Sequence, residues 1–581
     1  MKKLLFILLP VLLATRAQAL PGPLNAHTKL YHYIKVWGFL KYYHPRVAAG
    51  QIDADSLFRT NFPAVEQAAD TAALNTVLEK MVESLGVVDL CGKCKPPDGK
   101  ELFIRNLSNS WLEQPGTLNG RLQEKLRYIE QNRFQGKPHR YMFNGFEGNI
   151  NEPSYPNMVF PDKAGQLMAL ARVWNIVNYI FPYKYMATEN WDSVLQRLVP
   201  VFSEARSRTE YEKGLLHLIA ATDDSHCGSF AIQNKSAVYG QYAPPFTFRL
   251  LKDTAVVTSL IDSAVCATGD IQVNDMIVQL NGRTLTEAAL PFDSLMPASN
   301  APRKRLQLSS PELGAPFRSN DSSMQLVLLR NGQRLDRRIS GLRTDSVFAA
   351  RVKPHQLRYG KEVHGLRSDY VFKSPQPNVG MLAALSLSML YRKDSAKTAV
   401  DSVMQLVRQH AAGLIIDLRE YCYQQVIYDK LLPALGLKRK PFADYFIPNI
   451  HYPGTLVNTY FSKQRGPNTK TGANYPGKLV VLVNENSLSQ AEWVTMILQA
   501  TGKVTVIGSQ TAGADGDIVM FQVPGGYRGV ITGRRVCYPD GTESQRQGVK
   551  IDIPVAATAA GIAAGRDEQL ERALQFIENG R

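Results

Sequence analysis

The sequence predicts a multidomain α+β protein: helical segments first, a block of short strands next, and an alternating strand and helix region last. Three observations carry that expectation. An aromatic helical segment occurs twice in the first half of the chain. From about Pro244 to Ser340 the apolar runs shorten to strand length. Beyond about Pro375, Val/Ile/Leu runs alternate with helical stretches.

The first residues read as an export signal. Lys2 and Lys3 precede the apolar run Leu4 to Ala14, too short for a membrane-spanning helix, and Ala17-Gln18-Ala19 offers small residues for cleavage after Ala19. Residues 1–19 are therefore expected to be removed, leaving a periplasmic or secreted protein with no transmembrane span. The full 581-residue sequence carries 67 basic and 51 acidic side chains, a net charge of +16. The basic residues are dispersed and no nucleic-acid module is recognisable, so a solvated basic surface is expected rather than nucleic-acid binding. Six cysteines are too few for a disulfide scaffold. Cys91-Gly-Lys-Cys94 fits a redox pair, half a metal site or a local disulfide; with no second such motif and no histidine cluster, a structural role is expected and neither metal nor organic cofactor is implied.

Lys35-Val36-Trp37-Gly38-Phe39-Leu40-Lys41-Tyr42-Tyr43-His44-Pro45 recurs as Arg172-Val173-Trp174-Asn175-Ile176-Val177-Asn178-Tyr179-Ile180-Phe181-Pro182, and each copy is followed by an Asp-Ser helix opening. Two helical repeats are expected, over 20–105 and 158–243, their aromatic stripes buried against neighbouring helices. The connector 106–157, rich in Asn, Gly and Pro, is read as mostly irregular. The copies differ at their ends: Val88-Asp89-Leu90-Cys91 in the first, Asp224-Ser225-His226-Cys227 in the second. Only the second offers a histidine beside a serine. Asp223 and Asp224 are read as turn or capping residues rather than metal ligands.

Region 244–345 reads as strands at Phe246 to Leu251, Ala255 to Leu260, Met276 to Leu280 and Met324 to Arg330. The stretch from Ile271 to Gly282 resembles a PDZ domain, with Asn274 where a glycine is usual and an Asn-Gly turn after the strand. The resemblance implies binding of an extended peptide, often by its C-terminus, through strand addition. The plainer reading is a β spacer.

In 346–581, strands at Val379 to Leu385, Gly413 to Leu418, Lys478 to Val483 and Lys503 to Gly508 alternate with helices at Ser395 to His410 and Ser489 to Ala500. Short buried strands separated by helices predict a mainly parallel sheet, with functional residues at the strands' carboxyl ends. Ser489 falls there, at a strand's end and a helix's start, a position suited to a nucleophile. Thr511 to Gly516 lacks the Lys-Ser/Thr of a phosphate loop and is expected to support the serine.

Several motifs in order resemble serine peptidase family S41, which includes C-terminal processing peptidases and the tricorn protease. They are Ile415-Ile416-Asp417-Leu418-Arg419, Asn484 through Glu492, Gly508-Ser509-Gln510-Thr511-Ala512-Gly513, and Tyr538-Pro539-Asp540-Gly541 through Ile553. The resemblance implies a ClpP/crotonase-like catalytic core and a nucleophile three residues before Glu492, hence Ser489. Ala514 occupies the position where the processing branch has its lysine, so the chain is closer to the tricorn-like Ser-His branch.

On that resemblance His226 is the general base, Ser225 an orienting residue for the base or a water, and Glu543 the carboxylate behind the imidazole, with Gln545 the other residue that the registration admits. The backbone amide of Gln490 supplies one oxyanion donor. The other is expected from Glu420 or Tyr421, where relatives commonly carry glycines and this chain reads Glu420-Tyr421-Cys422-Tyr423. The expected activity is hydrolysis of protein or peptide substrates through a Ser489 acyl-enzyme; oligomeric state is left open. The competing expectation is a catalytically inactive peptide-binding protein on the same scaffold, and a third, by family analogy alone, is binding of a small apolar ligand. Taken singly, Ser489 reads as a helix N-cap and His226 as structural; the ordered motifs favour catalysis.

Overall fold

The computed structural model describes residues 24–137, 139, 149–228, 230–363, 372–383, 396–419, 421–422, 431–459 and 474–580. The expected signal segment 1–19 and the oxyanion candidate Glu420 lie outside them. Helices Ala26–Tyr43, Ala54–Gln67 and Thr71–Ser84 precede a second set, Lys163–Tyr179, Trp191–Ser203 and Arg208–Ala220. Five of the six begin at an Asp or Asn and the sixth at Ser207, each side chain accepting a hydrogen bond from an amide of the first turn.

The two sets make matching contacts. Trp37 donates its indole N–H to the Ala54 carbonyl at 2.7 Å, and Trp174 does the same to Trp191 at 2.8 Å. The long helices meet where Gly38 lies against Asn175, so closely that a Cβ on Gly38 would fall 1.9 Å from the Asn175 side chain. Cations reach across: Lys35 pairs with Asp192 at 2.9 Å, and Arg172 with Asp55. Within 106–157, expected to be mostly irregular, the chain forms the helix Gly120–Gln131, capped by Asn119. Leu122, Leu126 and Ile129 are spaced to bury one helical face, a short period masked in sequence by the surrounding Asn, Gly and Pro.

Strands Phe246–Leu250, Ala255–Leu260, Met276–Leu280, Ser323–Arg330 and Gln333–Ser340 form an antiparallel sheet, joined at its centre by Arg283–Thr284. Asn274 has φ +76°, the left-handed backbone expected there. Asp275 just after it is buried and holds Arg330 at 2.7 Å.

In the last region Val379–Ala383, Gly413–Asp417, Lys478–Val483, Val504–Gly508 and Ile553–Pro554 pair in parallel, with Phe372–Gln376 antiparallel at the edge. Side chains alternate: Leu414, Ile416, Leu479 and Val481 pack toward the helix Gln490–Ala500, whereas Ile415, Val480 and Leu482 pack toward Ala573 and Ile577 of Glu568–Asn579. A sheet covered on both faces explains why these strands read as unbroken apolar runs. The other strand bounds fall within a residue of those expected from sequence; Leu385, the expected end of the first strand, and Ser395, the expected start of the helix after it, lie outside the described residues.

One element was not expected. The hairpin Ile518–Val523 with Tyr527–Thr532 leaves this region and buries Val519, Phe521, Val523, Tyr527 and Ile531 in the helical core. Tyr211 donates to the Pro524 carbonyl at 2.8 Å, and Tyr527 to Glu212 at 2.6 Å. The hairpin fastens the helical region to the parallel sheet and ends at Thr532.

Candidate active site

Ser489 sits where Lys478–Val483 gives way to Gln490–Ala500, with φ +55° and ψ −113°. A left-handed φ on a serine is a strained conformation, held only where surrounding bonds over-determine it. Here its amide donates to the Ala514 carbonyl at 2.9 Å and to Glu492 at 3.2 Å. Glu492, fully buried, also receives Thr511 Oγ1 at 2.5 Å and the amides of Gly513 at 2.8 Å and Ala514 at 3.0 Å. Burial raises its carboxyl above the ordinary range, with those donors opposing the rise. The glutamate three residues after the serine is thus the post that locks the serine turn to the 511–514 loop. Ala514 is buried there and brings no base.

The Gln490 amide, first in the helix, has no hydrogen-bond partner among the described residues, as an oxyanion donor requires. Tyr421 is half-buried beside the fully buried Cys422.

The histidine loop comes to the same place. Ser225 Oγ donates to the Ala512 carbonyl at 2.8 Å and accepts the Ser299 amide at 2.8 Å; the Ser225 amide donates to Ser299 Oγ, also at 2.8 Å. Ser225 therefore fastens this loop to two others rather than contacting the imidazole through a hydrogen bond. His226 Nδ1 lies 2.7 Å from Thr532 Oγ1, while Nε2 is buried and has no hydrogen-bond partner among the described residues. Ser489 and His226 consequently share the 512–514 loop as support but are not hydrogen-bonded to each other. Burial lowers the imidazole below its usual 6.5, partly offset by Asp224 and Asp517 and reinforced by Arg303.

Glu543 is not the group on His226. It accepts from Arg535 at 2.6 Å and from the Tyr185 hydroxyl, which turns it away from the imidazole. Thr532 occupies Nδ1, and behind Thr532 stands Asp224, fully buried. Gln545, the other registration, donates to Asp224 at 3.3 Å and to Ser299 at 3.4 Å. Sequence reading missed Thr532 altogether, since one threonine at the end of an unrecognised strand carries no signal, and it took Asp224 for a turn residue.

Near the serine turn, Asp515 is buried with one oxygen on the Gly516 amide and the other without a partner among the described residues. Burial pushes its carboxyl well above the ordinary range, and Glu492 adds to the rise. Among the described residues no group of His, Cys, Asp or Glu is arranged to hold a metal ion. Cys91 and Cys94 form a local disulfide, which fits the local-disulfide and the oxidised redox-pair readings of that motif alike.

A strained serine stands at the carboxyl edge of a parallel sheet, on a helix N-terminus, with its loop tied to the histidine loop. Residues 442–555 match the family model for peptidase family S41. No curated protein matches the sequence. Among solved structures, mature CPAF complexed with lactacystin is similar at 14% identity over 72% of this chain and 99% of that chain, with a TM-score of 0.52; a mutant of CPAF gives 14%, 72%, 98% and 0.54. The tricorn protease is 15% identical over 72% of this chain and 37% of its own, with a TM-score of 0.32. Peptidases of this family act on protein or peptide substrates. No helix among the described residues is long and apolar enough to cross a membrane.

Proposed function

We propose that the protein is an exported endopeptidase that cleaves peptide bonds through a Ser489 acyl-enzyme, with His226 as general base, in the manner of the tricorn-like Ser-His branch. The observation that carries this reading is the shared anchorage: Ser489 hangs on Ala514 and the Ser225-His226 loop on Ala512, two residues apart in one loop. A lowered imidazole pKa favours the neutral base at pH 7. His226 Nε2 takes the Ser489 proton as Oγ attacks the carbonyl carbon, the Gln490 amide meets the oxyanion, and the proton passes to the leaving amine.

The division into helical repeats (20–105 and 158–243), a PDZ-like region (244–345) and a peptidase core (346–581) supplies a path for substrate. A cavity of about 90 Å³ between the β region and the serine loop is lined by Arg249, Ser259, His355, Arg358 and Asn486. Arg249 is already paired with Glu485; the polar lining presents the Arg358 guanidinium and the Ser259 and Asn486 side chains to the carboxyl end of an extended peptide. The sequence of residues 1–19, read as an export signal, supports the exported part of this proposal.

The missing hydrogen bond between Ser489 and His226 favours a second reading, a peptide-binding protein without turnover. A serine-reactive phosphonate followed by intact-mass measurement separates the two. A single adduct that is lost in Ser489→Ala and slowed in His226→Ala supports the peptidase; an unlabelled wild-type protein that still binds peptide supports the binder.

A further inference from the structure

The geometry points to Asp224, acting through Thr532, as the positioning pair that fixes the His226 tautomer and faces the imidazolium, the place held in the sequence reading by Glu543. The inference rests on the Ser489-His226 reading and assigns the part of that site left open.

Each proton in the group can be placed. Asp224 Oδ1 faces the His226 amide at 3.2 Å and the Gln545 side-chain amide at 3.3 Å, and Oδ2 faces the Thr532 amide at 2.8 Å. All three are obligate donors, so this carboxylate acts as an acceptor. The Thr532 hydroxyl, 2.9 Å from Oδ1, has one proton and gives it there. Toward His226 Nδ1 the hydroxyl oxygen is left with lone pairs only, and the 2.7 Å contact requires a proton on Nδ1. Nε2 then holds the bare lone pair, and it is the ring nitrogen that is buried with no partner. This is the tautomer a general base needs.

When Nε2 accepts the Ser489 proton, both ring nitrogens carry hydrogen. The new positive charge is met through Thr532 by Asp224, whose carboxylate is already fixed by four hydrogen bonds from His226, Thr532 and Gln545. No proton needs to leave Nδ1. The other ionisable groups acting on the ring are Asp517, just before the hairpin, and Arg303 in the helix Ala301–Leu308; the Cys227 thiol lies 3.5 Å from Asp224. The arrangement also accounts for Gln545, which bonds the aspartate and not the imidazole.

The test is nitrogen NMR of the His226 ring, assigned by comparison with His226→Ala, together with steady-state kinetics of Thr532→Val, Thr532→Ser and Asp224→Asn. The wild type is expected to show hydrogen on Nδ1 and a bare Nε2. Thr532→Val should mix the tautomers and lower kcat roughly 10²-fold, with KM changed less than about 2-fold, whereas Thr532→Ser, which keeps the hydroxyl, should stay within about 5-fold of wild type. Asp224→Asn should move the acid limb of the pH profile downward by removing the negative charge beside the ring. Hydrogen on Nε2 in the wild type, or equal losses in the Ser and Val variants, would overturn the pair. Turnover surviving in Ser489→Ala would instead sink the nucleophile assignment and leave the NMR result standing.

Discussion

Ser225 Oγ lies 2.8 Å from the carbonyl oxygen of Ala512, so the histidine loop of the helical region is tied directly to the loop that carries the serine turn. Removing that hydroxyl leaves the Ser299 amide without its acceptor as well. Ser225→Ala is therefore expected to destabilise the fold by about 1–3 kcal/mol and to lower kcat through misplacement of His226. Denaturant unfolding and peptidase kinetics on the same variant check both effects.

Burial of the imidazole sets the pH response. The base must be neutral, and its folded pKa lies below 6.5, so activity is lost as pH falls through a value under 6.5. The acid limb of kcat/KM should have its midpoint there. Glu543→Gln should leave that midpoint in place, because Glu543 is bound to Arg535 and Tyr185. A shift of the limb in Glu543→Gln would restore the glutamate to the site.

Asp515 should act against stability at neutral pH. Its folded pKa is raised, so the folded state holds a proton that the unfolded chain releases above about pH 4, and stability falls as pH rises from there toward the folded value. Asp515→Asn removes the penalty. The variant should be more stable than wild type at pH 7, and the gap should close below pH 4, with a slope of at most about 1.4 kcal/mol per pH unit between. Unfolding curves at several pH values measure it.

The parallel strands were legible because burial on both faces leaves an apolar run with no polar interruption, as in Leu479 to Val483. The position of Ser489 at a strand's end and a helix's start was legible because strand, serine and helix are contiguous. The hairpin 518–532 was not read, although Pro524-Gly525-Gly526 separates two alternating runs, because its apolar face answers to a helical core hundreds of residues away. Thr532 and Asp224 were beyond reach for the same reason: their bond joins residues 308 apart. Glu543 was misplaced because registration by motif gives proximity along the chain and cannot tell which way a carboxylate turns.

The crossed ion pairs of the helical region allow a last prediction from burial alone. Arg172 and Asp55 are 0% and 3% exposed, whereas Lys35 at 4% faces an Asp192 that is 41% exposed. Breaking the first strands a guanidinium in the core; Glu152 at 3.6 Å and the Pro153 carbonyl at 2.7 Å retain part of the compensation. Tyr155 also loses the acceptor of its hydroxyl, 2.8 Å away. Asp55→Ala should therefore cost about 3 kcal/mol or more. Asp192→Ala opens a pair whose carboxylate is already wet, and Lys35 keeps the Tyr31 hydroxyl at 3.1 Å, so the loss should stay near or below about 1 kcal/mol. Equal losses in urea unfolding would mean that the two crossings are held by packing around Gly38 and Asn175 rather than by charge.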